Sequence, residues 1–162
     1  MQTFMPYKEF DKTAKALDNK RLNKQILECY QILKVLSNND PHAGWRNHPA
    51  VKMWRGHEKA LWQYALYMIW EASSRGIKTY NNEKNIRGLW RYHADEWGDT
   101  YPDWYNDDVK MKRLTTSHQA NLYRKDPEYY FEFYPAVAKH EPCCPGKKIP
   151  CNYYWVTHEE AA

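Results

Sequence analysis

Leu22, Ile26, Cys29, Leu33 and Leu36 recur at the three- and four-residue intervals of one helix face and predict a long amphipathic helix over residues 13–36. On the same wheel Arg21, Lys24, Glu28 and Gln31 fall on the opposite side, so a single carboxylate stands among basic and amide groups. Residues 1–11, ahead of the helix, contain Pro6 and no helical period, and residues 37–44, with two Asn, an Asp and a Pro, end the pattern. A second helix is predicted from Pro49, a favoured first helical position, to Arg75, with Gly76 as its stop. Its buried stripe is Trp54, Leu61, Ala65, Met68 and Ala72.

Residues 77–108 are polar and aromatic without a period, and read as a long excursion with a short helix over 86–93. A third main helix is predicted to begin after Asp107 or Asp108 as cap and to end near Arg124. Pro127 then opens a short helical turn through Tyr129, Tyr130, Phe131 and Phe133. No period-two alternation is sustained, so the predicted class is all-α: one compact domain over residues 1–162, with three main helices and long aromatic-rich loops.

Composition adds a partner to this picture. The chain holds 8 Trp, 14 Tyr and 4 Phe, more than one small core consumes, so some rings are expected at the surface, where aromatic faces stack on unpaired bases. A net charge of +4 is modest, and its meaning depends on clustering. Arg46, His48, Lys52 and Arg55 do cluster, at the entrance of the second helix, where backbone N–H groups already favour phosphate.

No apolar run is long enough to span a membrane and no secretory pattern opens the chain, so an intracellular, cytoplasmic protein is expected. In that compartment thiols stay free, and Cys29 reads as core. His140, Cys143, Cys144 and Cys151 crowd a Pro-rich tail over residues 136–162 and are weak zinc candidates, because their spacing fits no standard pattern. A plain loop is the favoured reading there, with no metal and no cofactor.

Phosphate-binding loops, His-Glu zinc motifs, Ser nucleophile elbows and paired Asp-x-Asp motifs are absent. What remains is an N-terminal arm, a carboxylate among cations, a basic helix entrance and a Tyr-rich segment after a basic helix. Leu17-Asp-Asn-Lys-Arg-Leu-Asn-Lys-Gln-Ile-Leu-Glu28, then Asn47-His-Pro49, then Ser117-His-Gln-Ala-Asn-Leu122 leading into Asp126-Pro-Glu-Tyr-Tyr130, resembles the pyrimidine-dimer DNA glycosylases of the phage endonuclease V type. The resemblance covers about residues 1–135.

The resemblance implies a monomer acting on double-stranded DNA, whose N-terminal α-amine attacks C1′ of a damaged nucleotide. The resulting imine releases the base and then permits strand cleavage at the abasic site. Carried onto this chain, Met1 supplies the amine and Glu28 assists, while Arg21 and His48 hold the DNA backbone. Lys24, Arg46, Lys52, Arg55, Arg113, His118, Tyr129 and Tyr130 complete the expected DNA-contacting set. Where the phage type exposes a small residue after trimming of the initiator Met, this chain has Gln2, whose bulk should block trimming, so Met1 is expected to stay.

Physically such a site is coherent. α-Amines as a class titrate near 7.7–8.0, so far more of the neutral nucleophile is present near pH 7 than for a Lys amine. A carboxylate facing the reacting sugar stabilises the positive charge that develops there. The alternative function is a non-catalytic DNA-binding protein on the same scaffold. A metal-dependent nuclease built on the tail ranks last, because thiolate-rich sites are generally structural.

Overall fold

The computed structural model describes residues 1–140 and 153–157, and among them it is all-helical, without a strand. They gather into two compact units, one of residues 1–3 and 9–102, the other of residues 4–8 and those from 103 onward. Among the described residues no helix is long and apolar enough to cross a membrane. Cys143, Cys144 and Cys151 lie outside the described residues. No group of three or more metal-ligating side chains occurs within them.

In the first unit, α1 (Phe10–Ala16) and α2 (Asn19–Leu36) replace the single helix that periodicity predicted. Leu17 and Asp18 are extended, with ψ of 141° and 160°, so the helix breaks between them. The carbonyls left open at this break find a distant partner. Arg75 Nη1 donates to Leu17 O at 2.7 Å, and its Nη2 donates to Ala14 O and Lys15 O at 3.2 and 3.0 Å. Glu71 accepts from Arg75 Nε at 2.9 Å and aims the guanidinium.

The second predicted helix also divides, into α3 (Pro49–Lys52) and α4 (Glu58–Ser74). Gly56 turns the chain between them at φ 81°, a left-handed conformation that glycine adopts without a Cβ penalty. α2 and α4 pack against each other, and Leu22, Ile26, Cys29, Leu33, Leu61, Tyr64, Ala65 and Met68 lose all solvent exposure. Burial holds the Cys29 thiol well above its ordinary range, so it stays protonated.

α5 (Tyr80–His93) runs through what the sequence read as mostly loop, and packs on α2. Trp90 stacks on Trp62 with centroids 4.0 Å apart and meets Trp97 edge-on at 5.8 Å.

A buried carboxylate fixes the close of this unit. Glu58 accepts from Gly56 N–H at 3.2 Å and from Gly98 N–H at 3.0 Å, joining two distant loops. A Cβ on Gly98 would stand 1.7 Å from the carbonyl oxygen of Gly56. Gly98→Ala must therefore push two backbones apart, and should lower stability by about 3 kcal/mol, read as a fall in denaturant midpoint. A midpoint equal to that of the wild type would refute the contact.

The second unit is built on α6 (Asp108–Lys125) and α7 (Tyr134–Lys139). Asp107 caps α6 as expected, accepting from Val109 and Lys110 N–H, both at 3.1 Å. Residues 4–8 run against α6 as a strap without regular structure, bent from Pro6 onward. Their polar backbone is satisfied by side chains: Met5 N–H donates to His118 Nδ1 at 2.7 Å, and Gln119 Nε2 donates to Pro6 O at 2.7 Å.

His118 is fully buried between the rings of Phe4 and Tyr153, and Tyr130 is buried and stacked on Phe133. Both were expected to contact DNA. Both are core, because the arm and the aromatic cluster close over them. Burial, with a smaller contribution from His140, brings the His118 pKa down to about 3. Below an unfolded value near 6.5 the unfolded chain then takes up a proton that the folded chain refuses. Stability from this group is complete above about pH 6.5 and falls by about 1.4 kcal/mol per pH unit as pH drops toward 3. The His118→Gln variant should lose that slope in urea titrations between pH 6.5 and 4; an unchanged slope would contradict the buried neutral imidazole.

Candidate active site

Glu28 lies on the middle turns of α2, where α-helical spacing alone would leave it in water. It is instead 92% shielded, because the N-terminal arm lies over it. Gln2 donates its backbone N–H to the Glu28 carboxylate, and Gln25 Nε2 donates to Glu28 Oε2 at 2.9 Å. Gln25 is itself held: Tyr64 OH, fully buried on α4, donates to Gln25 Oε1 at 2.9 Å. Because burial keeps the Tyr64 hydroxyl well above its usual range, it stays protonated and gives its proton to Gln25 Oε1, which leaves the Gln25 NH₂ toward Glu28.

The arm is fastened on its other side. Trp54 Nε1 donates to the buried Thr3 hydroxyl at 3.1 Å, which fixes the chain two residues from its start. Met1 then lines a pocket of about 680 Å³ together with Lys24, Glu28, Gln31, Lys34 and Trp45. Burial raises the Glu28 pKa; the positive α-amine of Met1, then Lys24, then the hydrogen bonds from Gln2 and Gln25 pull it back part of the way. A carboxyl so balanced can both give and take a proton closer to neutrality than a surface glutamate.

His48 stands at the N-terminus of α3, where its Nδ1 accepts from Ala50 N–H at 3.0 Å. With Nδ1 accepting, the neutral ring carries its proton on Nε2 and can donate there. Burial first, and the positive α-amine second, hold its pKa below the ordinary value, so the imidazole is neutral at pH 7. The ring that caps the start of α3 thus also feels the charge of the amine.

Of the residues singled out from the sequence, Met1, Lys24 and Glu28 meet in the pocket, and His48 is coupled to the same amine. Arg21 does not line the pocket, and pairs with Asp18 at 3.2 Å one turn along α2. Arg46 Nη1 donates to Asn38 O at 3.4 Å, and Arg55 Nη2 donates to the Arg46 carbonyl, so these two brace the loop before α3. Lys52 is exposed on α3. In the second unit Arg113 lies over the Tyr154 ring at 4.3 Å, and Tyr129 is half exposed.

Three site residues escaped sequence reasoning. Gln25 and Tyr64 read as ordinary helix positions, although Gln25 is one helical turn before Glu28, a spacing that brings the two side chains together. Trp45 was one tryptophan among eight, and only its backbone sets it apart: φ is +68°, a left-handed conformation rare for a bulky residue.

An amine and a buried carboxyl line one open pocket on a helical frame, and a neutral imidazole feels the charge of the same amine, a set of groups suited to nucleophilic and acid–base work. The chain belongs to the pyrimidine dimer DNA glycosylase family, whose sequence model matches residues 1–87, just over half of its 162 residues. It is thereby placed among DNA glycosylases of repair. The matched span holds the whole pocket and stops short of the His118 and Tyr129 segments. No curated protein and no solved structure matches the chain.

Proposed function

We propose that this protein is a DNA glycosylase with abasic-site lyase activity that removes a damaged pyrimidine from double-stranded DNA through an imine on the α-amine of Met1. The observation that carries the reading is the pairing of that amine with Glu28: both line one pocket, and the amine's charge bears on the carboxyl. The nitrogen lone pair attacks C1′, the C1′–N glycosidic bond breaks, and the base departs with the bonding electrons and takes up a proton. The nitrogen sheds a proton to Glu28, which returns it to O4′ as the sugar ring opens to the imine. Glu28 then takes a proton from C2′, and the 3′ phosphate leaves by β-elimination. Water hydrolyses the imine and frees the amine.

The other groups have positioning roles in this scheme. Within it Lys24 and Lys34, which line the pocket, and Lys52 and Arg55 on the segment that follows hold phosphates. Neutral His48 donates from Nε2 without bringing a cation that would oppose the positive sugar. Gln25 holds Glu28 toward the reacting carbon.

The reading is tested with a duplex carrying one cyclobutane pyrimidine dimer. The expected product is a nick at the dimer ending in an unsaturated aldehyde, with an undamaged duplex left whole and an abasic duplex cut. If both the dimer and the abasic duplex are bound and stay intact, the reading fails.

A further inference from the structure

Trp45 combines two costs. Its indole is 63% exposed, and its backbone sits at φ +68°, which side-chain-bearing residues rarely adopt. Its carbonyl accepts from His48 N–H at 3.0 Å, so a tight turn holds the residue in that conformation. The indole lines the same pocket as Met1 and Glu28, and its ring neighbour is His48, tilted 53° at a centroid distance of 5.6 Å. A flat apolar ring is thus presented to a pocket of mixed lining that can hold a nucleoside-sized group.

We infer that Trp45 is the stacking platform for the base of the nucleotide whose C1′ is attacked. This rests on the imine-forming reading, and deepens it by assigning what holds the base during the reaction. The chemistry favours a nucleobase over other occupants: the flat face of an indole packs against the ring of a base, and the amine and carboxyl in the same pocket must meet the sugar bonded to that base. The turn at residues 45–48 ties the platform to His48 and so to the cap of α3.

The test separates base-dependent from base-independent steps. Trp45→Ala should slow single-turnover base release from a dimer-bearing duplex about 10- to 100-fold, and Trp45→Phe should stay within about threefold of the wild type. Borohydride trapping on a preformed abasic site, which has no base to stack, should be within about threefold of wild type in both variants, and their melting temperatures should not fall.

Base release by Trp45→Ala at the wild-type rate would overturn the proposal. So would equal losses of base release and abasic trapping, which would mark a general disturbance of the pocket. A 2-aminopurine opposite the lesion provides a further arm: if its fluorescence, rather than base release, responds to Trp45→Ala, the stacked base is the opposite one and the assignment is wrong. Absence of any trapped adduct with the wild-type protein would instead defeat the imine reading itself.

Discussion

Glu28→Gln should reduce base release by about 10²- to 10⁴-fold while leaving duplex affinity within a few-fold of the wild type. Glutamine keeps the shape of the side chain and an oxygen for the Gln25 and Gln2 donors, but it cannot move a proton or offset charge at the sugar. Stability moves the other way. The Glu28 carboxyl, raised by burial, binds its proton more tightly in the folded chain than in the unfolded one. Its contribution to stability is therefore full below the ordinary carboxylate range and is lost as pH rises through the raised folded value. At neutral pH the ionised carboxylate is a cost that glutamine does not carry, so the variant should melt at the wild-type temperature or above. A variant that melts lower and loses binding and base release together would show Glu28 to be a structural residue.

An added Gly-Ser ahead of Met1 should be comparably severe, lowering both base release and abasic-site cleavage roughly 10³-fold. The nitrogen that faces Glu28 would become a peptide amide with no lone pair to give, and the new amine would lie two residues farther out. Because Thr3 and the Trp54 indole still anchor the arm, the fold should survive. Restoring the original terminus by proteolytic removal of the extension should restore activity. Full activity in the extended chain would mean that the nucleophile is elsewhere.

Much of the frame was legible in the sequence where burial follows helical spacing. The stripe of α2 from Leu22 to Leu33, the stripe of α4 from Leu61 to Ala72 and the Asp107 cap of α6 all follow local rules. The break at Leu17 and Asp18 was not legible, because the carbonyls it frees are satisfied by Arg75, nearly sixty residues away. α5 was largely missed for a different reason. It buries Ile86 alone and is polar on average, so the few apolar positions it carries did not stand out from the loops around it.

The site divides in the same way. Glu28 was found through its surroundings of cations and the motif it sits in, yet its burial depends on an arm of no detectable period. Gln25 and Tyr64 matter through a chain of hydrogen bonds that crosses from α2 to α4, and no spacing within either helix announces it. His118 and Tyr130 entered the expected DNA-contacting set because their chemistry suits DNA, whereas packing buries both.

The central claim is that the amine of Met1 forms a covalent imine in the Glu28 pocket. It is tested most directly by borohydride reduction of the protein with abasic duplex, followed by proteolysis and mass mapping of the adduct. The expected result is a single adduct on the N-terminal peptide at the α-nitrogen of Met1. An adduct on a lysine, Lys24 or Lys34 being the nearest in the pocket, or no adduct on a chain that binds the duplex, would contradict it.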